Sequence, residues 1–304
     1  MTHVFHGPVR GIVHSVHQLS PTFRRIVFTG AQLNDLAADG PFYDQRIKII
    51  LPNDTGQLPV IADSTDWYQR WLQLPDAERG TMRTYSIRDL VRAEGVTYLT
   101  VDFVLHGIDH GQTGPASAWA ASAVPGDALL LVAPHEGQAP SGIEFHPGGA
   151  QDIILLGDES AAPAIARILE DLKQQGTGTN VSAYIEVPSA DDQLPIDTTA
   201  HIQWLFRDDQ SLGQPLVQAL GWHVQEGQEV QEDQDELLWE TPVFSASGED
   251  VAADPAPRAG TYYWIAGESG VIKKLRRFLV NEVGVQRSQV AFMGYWRHGV
   301  AMRG

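Results

Sequence analysis

Short runs of β-branched and aromatic residues recur along the first half of the chain: FRRIVFTG (23–30), QRIKIILP (45–52), RTYSIRDL (83–90), TYLTVDFVLHG (97–107) and DALLLVAP (127–134). Each is cut by Gly, Pro, Asn or Asp, and the series predicts a small antiparallel barrel. One helix interrupts it: in GPASAWAASAVPGD (114–127) Gly and Pro precede a run of Ala and Ser, and Pro and Gly close it. After Gly148 and Gly149 the period changes. DIILLG (152–157) is a continuous apolar run suited to a strand buried on both faces, and SAAPAIARILEDLKQQG (160–176) repeats apolar residues at helical spacing. NVSAYIEVP, HIQWLFRDD and PLVQALGW continue the alternation. Strand TYYWIAG, helix SGVIKKLRRFLVNEVG and a last strand near QVAFMGYW follow. Strands alternating with helices imply an open, mostly parallel sheet. The fold class expected is therefore β plus α/β: an N-terminal barrel over 1–147 and an open-sheet domain over 148–304.

Composition narrows the chemistry. At 304 residues the chain exceeds the usual growth limit of one core, in line with two domains. It has no cysteine, which excludes disulfides, thiolate metal sites and cysteine nucleophiles. The net charge of −17 argues against nucleic acid as a partner. Much of that charge lies between residues 221 and 260, where ten acidic residues, Glu226 to Asp254, face only Arg258; this reads as a solvated acidic insertion near 223–257. MTHVFHGPVRGIVHS has no apolar stretch after a basic end, and no later segment reaches the ~18 apolar residues of a membrane span. No membrane association, a cytoplasmic location and a monomer are expected. His3, His6, His14 and His17 lack a consistent ligand spacing, so no metal site is assigned. Trp67, Trp71, Trp204, Trp222 and Trp239 read as core or loop anchors.

Three stretches carry chemistry. In LLGDESAAPAI and WIAGESGVIKKL a strand ends at Gly157 or Gly267, acidic residues follow, and a helix starts near Ser160 or Ser269. Such turns can bind phosphates at helix N-termini, or can be ordinary turns with serine caps. Ser269 is also placed like a hydrolase nucleophile, but Val271 stands where G-x-S-x-G needs its second glycine. The third stretch is RTYS. On a strand Arg83 and Tyr85 share a face, with Ser86 on the other or at the end. A guanidinium can fork onto a pyrophosphate, a phenol ring can lie on a flat heterocycle, and a hydroxyl can bond a ring nitrogen. The same residues also suit a plain hairpin strand.

Taken in order, RTYSIRD, DFVLHG, GPASAWA, VPGDALLLVAPHEG, LLGDESAAPAIARIL, WIAGESGVIKKLRRFL and GYWRHG resemble the siderophore-interacting proteins, flavin-dependent ferric-siderophore reductases of the ferredoxin-reductase superfamily. The resemblance spans nearly the whole chain and implies a flavin barrel followed by a nicotinamide-binding domain. It implies that Arg83, Thr84, Tyr85 and Ser86, then Asp102, Phe103, Val104 and His106, then Gly114, Pro115, Ala116 and Ser117, bind FAD. It places Gly157, Asp158, Glu159, Ser160, Gly267 and Glu268 around NADH or NADPH, with Trp296 near the nicotinamide or flavin face. Lys48 matches a substrate position. Arg46 on the same strand face, and Arg297, join it as candidate contacts to an anionic ferric siderophore, the small-molecule substrate. For Lys48 a solvated strand lysine remains the other reading. The chain departs from the family at His135 and Glu136, where a basic residue is common; this weakens the positive field, counts against a strongly anionic triscatecholate and leaves room for a hydroxamate or mixed chelate. Ser189, Asp191 and Asp192 after NVSAYIEVP lean towards NADH, with NADPH and reduced ferredoxin as the other donors. Iron(III) takes one electron and a nicotinamide gives a hydride, so flavin serves as converter and no acid–base residue is required. Two further readings stand beside the reductase: another flavin or ferredoxin reductase of the superfamily, and a ferric-siderophore carrier without turnover.

Overall fold

The computed structural model describes residues 7–106, 113–138, 141–221, 238–241, 244–245 and 260–299. The chain divides into two compact units, Met1–Ile143 and Glu144–Arg303.

The first unit contains β1 (Val9–Gln18), β2 (Phe23–Thr29), β3 (Arg46–Leu51), α1 (Trp67–Gln73), α2 (Asp76–Arg79), β4 (Thr81–Ser86), β5 (Asp89–Ala93), β6 (Val96–Val104), α3 (Pro115–Ser122) and β7 (Ala128–Val132). The strands form one antiparallel sheet in the order β4-β3-β7-β1-β2-β6-β5. β4 and β5 lie at opposite ends of that order yet are separated by two residues. The sheet therefore curls on itself, and Ile87 N–H bonds the Gln45 carbonyl at 2.9 Å while Arg88 N–H bonds that of Thr100 at 3.0 Å, joining the two edges. Period-two alternation puts Val9, Ile26, Phe28, Ile47, Ile49, Val101, Phe103 and Leu131 inside. The expected helix is α3, with Gly114 as N-cap and Pro115 in its first turn. Ala116, Ala120 and Ala123 face the core, and Trp119 stacks on Phe28 at 6.3 Å. Arg24 donates to the carbonyls of Ala121 and Ala123 at the helix's C-terminal end, where a cation suits the dipole. β1 and the short α1 and α2 had no clear local signal. Trp71 of α1 packs with Ile50, Met82 and Leu130 on the sheet's outer face and donates to the Arg79 carbonyl at 2.9 Å.

The second unit contains β8 (Asp152–Gly157), α4 (Ala162–Gln175), β9 (Asn180–Val187), β10 (His201–Phe206), α5 (Gln214–Ala219), β11 (Trp239–Thr241), β12 (Phe244–Ser245), β13 (Thr261–Glu268), α6 (Ser269–Arg276) and β14 (Val290–Trp296). Its sheet runs β10-β9-β8-β13-β14-β11-β12, parallel from β10 to β14 and antiparallel at the far edge. The edge pair corrects one expectation. Most of the 223–257 stretch lies outside the described residues, but Trp239–Thr241 is a strand rather than solvated loop. Glu240 there is buried and paired with Arg276 at 2.6 Å and Arg287 at 2.9 Å, because a desolvated carboxylate needs partners. α6 starts at Ser269 as expected, capped by Glu268, whose carboxylate accepts the Val271 N–H at 2.9 Å, whereas α4 starts at Ala162 with Ala161 as its cap, so neither serine is the N-cap. No helix among the described residues is long and apolar enough to cross a membrane.

Candidate functional site

β3 and β4 pair with Lys48 opposite Thr84 and Ile49 opposite Arg83. Residues directly opposite share a face, so the register sorts the RTYS residues. Arg83 and Tyr85 lie on the face of Ile47 and Ile49; Thr84 and Ser86 lie on the other, with Lys48 and Arg46. Because β4 is an edge strand, a flat ligand laid along it can touch both faces. Arg83 is half-buried, and its sole partner among the described residues is the adjacent Met82 carbonyl at 2.7 Å. Burial lowers its pKa, opposed by Tyr85, and no carboxylate among the described residues pairs with it to offset the desolvation. Tyr85 lies 4.6 Å from Phe103, and burial raises its phenol above the ordinary range. The Ser86 hydroxyl has no partner among the described residues.

The second flavin segment behaves differently. Asp102 is buried on the outer face of β6 between two guanidiniums, with Arg25 bonding it through two nitrogens at 2.7 and 2.8 Å and Arg88 at 3.5 Å. It is a structural ion-pair centre rather than an open ligand contact, since its carboxylate has no exposed surface. Phe103 is fully buried in the barrel core and Val104 nearly so, so their side chains face protein. Ser117 is also engaged: its hydroxyl donates to the Val104 carbonyl at 2.9 Å and accepts the His106 N–H at 3.3 Å, tying the end of β6 to α3. What α3 leaves open is its first turn, where Ala116 and Ser117 N–H groups have no intrahelical acceptor. Added bulk at Gly114 would meet nothing within 4 Å. A guanidinium and open helix N–H groups are donors that suit a pyrophosphate, and an edge strand suits a flat ring; all three belong to the first unit.

In the second unit Asp158 sits just past β8 and joins three strand ends. One carboxylate oxygen accepts Ser160 N–H at 2.9 Å and Ser160 hydroxyl at 2.5 Å; the other accepts Glu268 N–H at 2.7 Å and Trp296 Nε1–H at 3.0 Å. Gly267 is required beside it, because a Cβ there would fall 2.6 Å from the carboxylate. Gly157 likewise lets β8 approach Ala161 and the Ala266 carbonyl. Glu268 completes the junction by accepting the His298 N–H at 3.2 Å. The acidic residues expected to line the nicotinamide crevice thus spend their oxygens on this chain, and Trp296 is held by its indole N–H with its ring edge-on to His298. Burial, aided by the Glu159 charge, raises Asp158 to about 7 despite these donors. The folded protein then holds a proton that the unfolded chain releases near 4, so this group makes stability fall as pH rises from about 4 to about 7. Asp158→Asn is expected to flatten that slope by up to about 1.4 kcal/mol per pH unit, measured by denaturant unfolding at several pH values. Parallel slopes for both proteins would show that Asp158 does not titrate there.

Glu159 pairs with Arg207, which also contacts Glu186; these last two were missed from sequence, although a glutamate inside the apolar strand YIEVP is a visible anomaly. Asp192 is buried and accepts the Ser189 hydroxyl at 3.1 Å, so it is not a free ribose contact. Lys48 donates to Thr84 Oγ1 at 2.6 Å, and its pKa is lowered by burial and then by Arg46. Arg297 follows β14, half-exposed, in the second unit. His135 is buried, and burial lowers its pKa, so the departure from a basic residue leaves a neutral ring. Among the described residues no three His, Asp or Glu gather as metal ligands.

Residues 12–138 match the model of the siderophore-interacting FAD-binding domain, and residues 150–299 that of the siderophore-interacting protein. The chain belongs to the siderophore-interacting protein family. This siderophore-interacting protein is similar to a siderophore utilization protein from T. fusca, at 28% identity and a TM-score of 0.67, covering 96% of this chain and 94% of that one. It is similar to SipS, the siderophore-interacting protein of Aeromonas hydrophila, at 27% identity and a TM-score of 0.63, covering 97% and 93%. It is also similar to the NADPH-dependent ferric-chelate reductase of Escherichia coli, 28% identical over 291 residues, covering 92% of this chain and 89% of the relative.

Proposed function

We propose that this siderophore-interacting protein is a cytoplasmic, monomeric ferric-siderophore reductase that passes electrons from NAD(P)H through FAD to chelated iron(III). The observation that carries the reading is Arg83: a half-buried guanidinium with one backbone partner, beside Tyr85, on an edge strand within an FAD-binding domain. Arg83 would meet the pyrophosphate with the first turn of α3, Tyr85 would lie near the ring, and Ser86 would offer its free hydroxyl. Bound FAD supplies the conversion of a two-electron donor to one-electron transfer. The parallel sheet provides the crevice for the nicotinamide at its carboxyl end, where Gly157, Gly267 and the Asp158 junction shape the turns. Iron(II) suits a hard-oxygen chelator less well than iron(III), so reduction loosens the metal and leaves the siderophore intact.

The test begins with the visible spectrum, which should show about one FAD per chain. Anaerobic NADH or NADPH should bleach it, and a ferric siderophore should restore it while a ferrous-specific chelator traps the iron. A protein that neither carries nor takes up FAD ends the reading, and one that binds ferric siderophore without flavin is a carrier. Bleaching without reoxidation by ferric chelates points to another reductase of the superfamily.

Lys48, with Arg46 on the Ser86 face of the sheet, is the proposed contact to an anionic chelate. Lys48→Ala is expected to raise KM for an anionic ferric siderophore roughly two- to fivefold, the value of a partly exposed charge, with flavin bleaching unchanged. High salt should erase the difference. A salt-insensitive loss, equal for a neutral chelate, would assign Lys48 to packing alone.

A further inference from the structure

Three successive parallel strands deliver one charged group each to the carboxyl end of the sheet. Glu159 lies two residues past β8, Glu186 is the penultimate residue of β9, and Arg207 immediately follows β10. Arg207 meets both oxygens of Glu159, at 3.0 and 3.1 Å, and one oxygen of Glu186 at 3.0 Å. That Glu186 oxygen also accepts the Gly213 N–H at 2.9 Å, which ties the group to the start of α5. The other Glu186 oxygen is buried with no hydrogen-bond partner among the described residues, and the whole residue is 0% exposed. Two carboxylates thus enclose one guanidinium, leaving a net charge of −1 and an acceptor without a donor.

In open parallel sheets a dinucleotide lays its adenosine ribose at the end of the second strand of the binding unit, where a carboxylate bonds a free 2′-hydroxyl or an arginine receives a 2′-phosphate. β9 is that strand here. We propose that the Glu159–Arg207–Glu186 group determines donor specificity by withholding Arg207 from phosphate, so that this chain takes the dinucleotide lacking a 2′-phosphate. The arginine that a phosphorylated ribose would require is already held by two carboxylates. A phosphate entering would have to displace Glu159 and face Glu186 across a desolvated site, whereas a hydroxyl brings no charge. The inference rests on the nicotinamide-donor part of the proposed function and departs from the phosphorylated donor in the name of the Escherichia coli relative.

The test uses the FAD-loaded protein with two fragments, ADP-ribose and 2′-phospho-ADP-ribose, titrated by calorimetry, alongside anaerobic flavin reduction by NADH and NADPH. The wild-type protein is expected to bind ADP-ribose at least about tenfold more tightly, equivalent to about 1.4 kcal/mol. Glu159→Gln should shrink that ratio severalfold, chiefly by tightening the phosphorylated fragment, because it releases one side of Arg207. Equal or reversed wild-type affinities overturn the proposal, as does a Glu159→Gln variant that changes both fragments alike, or failure of both fragments to bind. The wild-type ratio decides the matter even if the variant does not fold. The two readings fail separately: bleaching by both donors at equal rates removes the specificity device and keeps the reductase. A clear fragment preference without bleaching by either donor keeps the device and removes the reductase.

Discussion

Asp102→Ala is expected to destabilise the first unit by about 3 to 5 kcal/mol, the cost of removing one partner from a buried ion pair. Asp102 has no exposed side-chain surface and neutralises Arg25, directly opposite on β2, together with Arg88. Its loss removes the carboxylate that both guanidiniums meet, one of them nearly buried. Thermal unfolding followed by circular dichroism should show a midpoint lower by roughly 10 °C for a unit of this size. Asp102→Asn, which keeps a hydrogen-bond acceptor but not the charge, should fall between. A variant that unfolds like the wild type but loses its flavin would return Asp102 to the cofactor site.

The second large effect is on cofactor retention. Arg83→Ala is expected to weaken FAD binding by about 1.5 to 3 kcal/mol, the usual worth of a hydrogen bond to a charged group, which is roughly tenfold to over a hundredfold in Kd. Stability should change little, because among the described residues the only hydrogen bond lost is to the neighbouring Met82 carbonyl. Fluorescence titration of apoprotein with FAD, paired with a denaturation curve, separates the outcomes. Unchanged affinity with reduced stability would make Arg83 an ordinary strand residue.

These two residues stand close together in the sequence and were both read as flavin contacts; their partners set them apart. Arg83 keeps its free donors, whereas Asp102 finds a partner 77 residues away. No local pattern announces such a pairing. The same holds for Asp158, whose link to Trp296 spans 138 residues, and for Glu240, whose partners lie on α6 and before β14.

By itself the sequence determined the features that depend on neighbours along the chain. Period-two runs mark β2, β3, β6 and β7; the shift to a continuous apolar run and a helical repeat marks β8 and α4; glycine and proline punctuate α3. The order of RTYS, GPAS, GDES and GYWR carries the family. Tertiary structure alone decided which charged residues remain available. Desolvation makes a buried carboxylate or guanidinium bind whatever complementary group the fold brings within about 3 Å, and that group is set by strand order and register rather than by sequence neighbours. Hence Arg207 is held between Glu159 and Glu186 at three adjacent strand ends, His135 is buried as a neutral ring, and Arg83 meets no anion among the described residues.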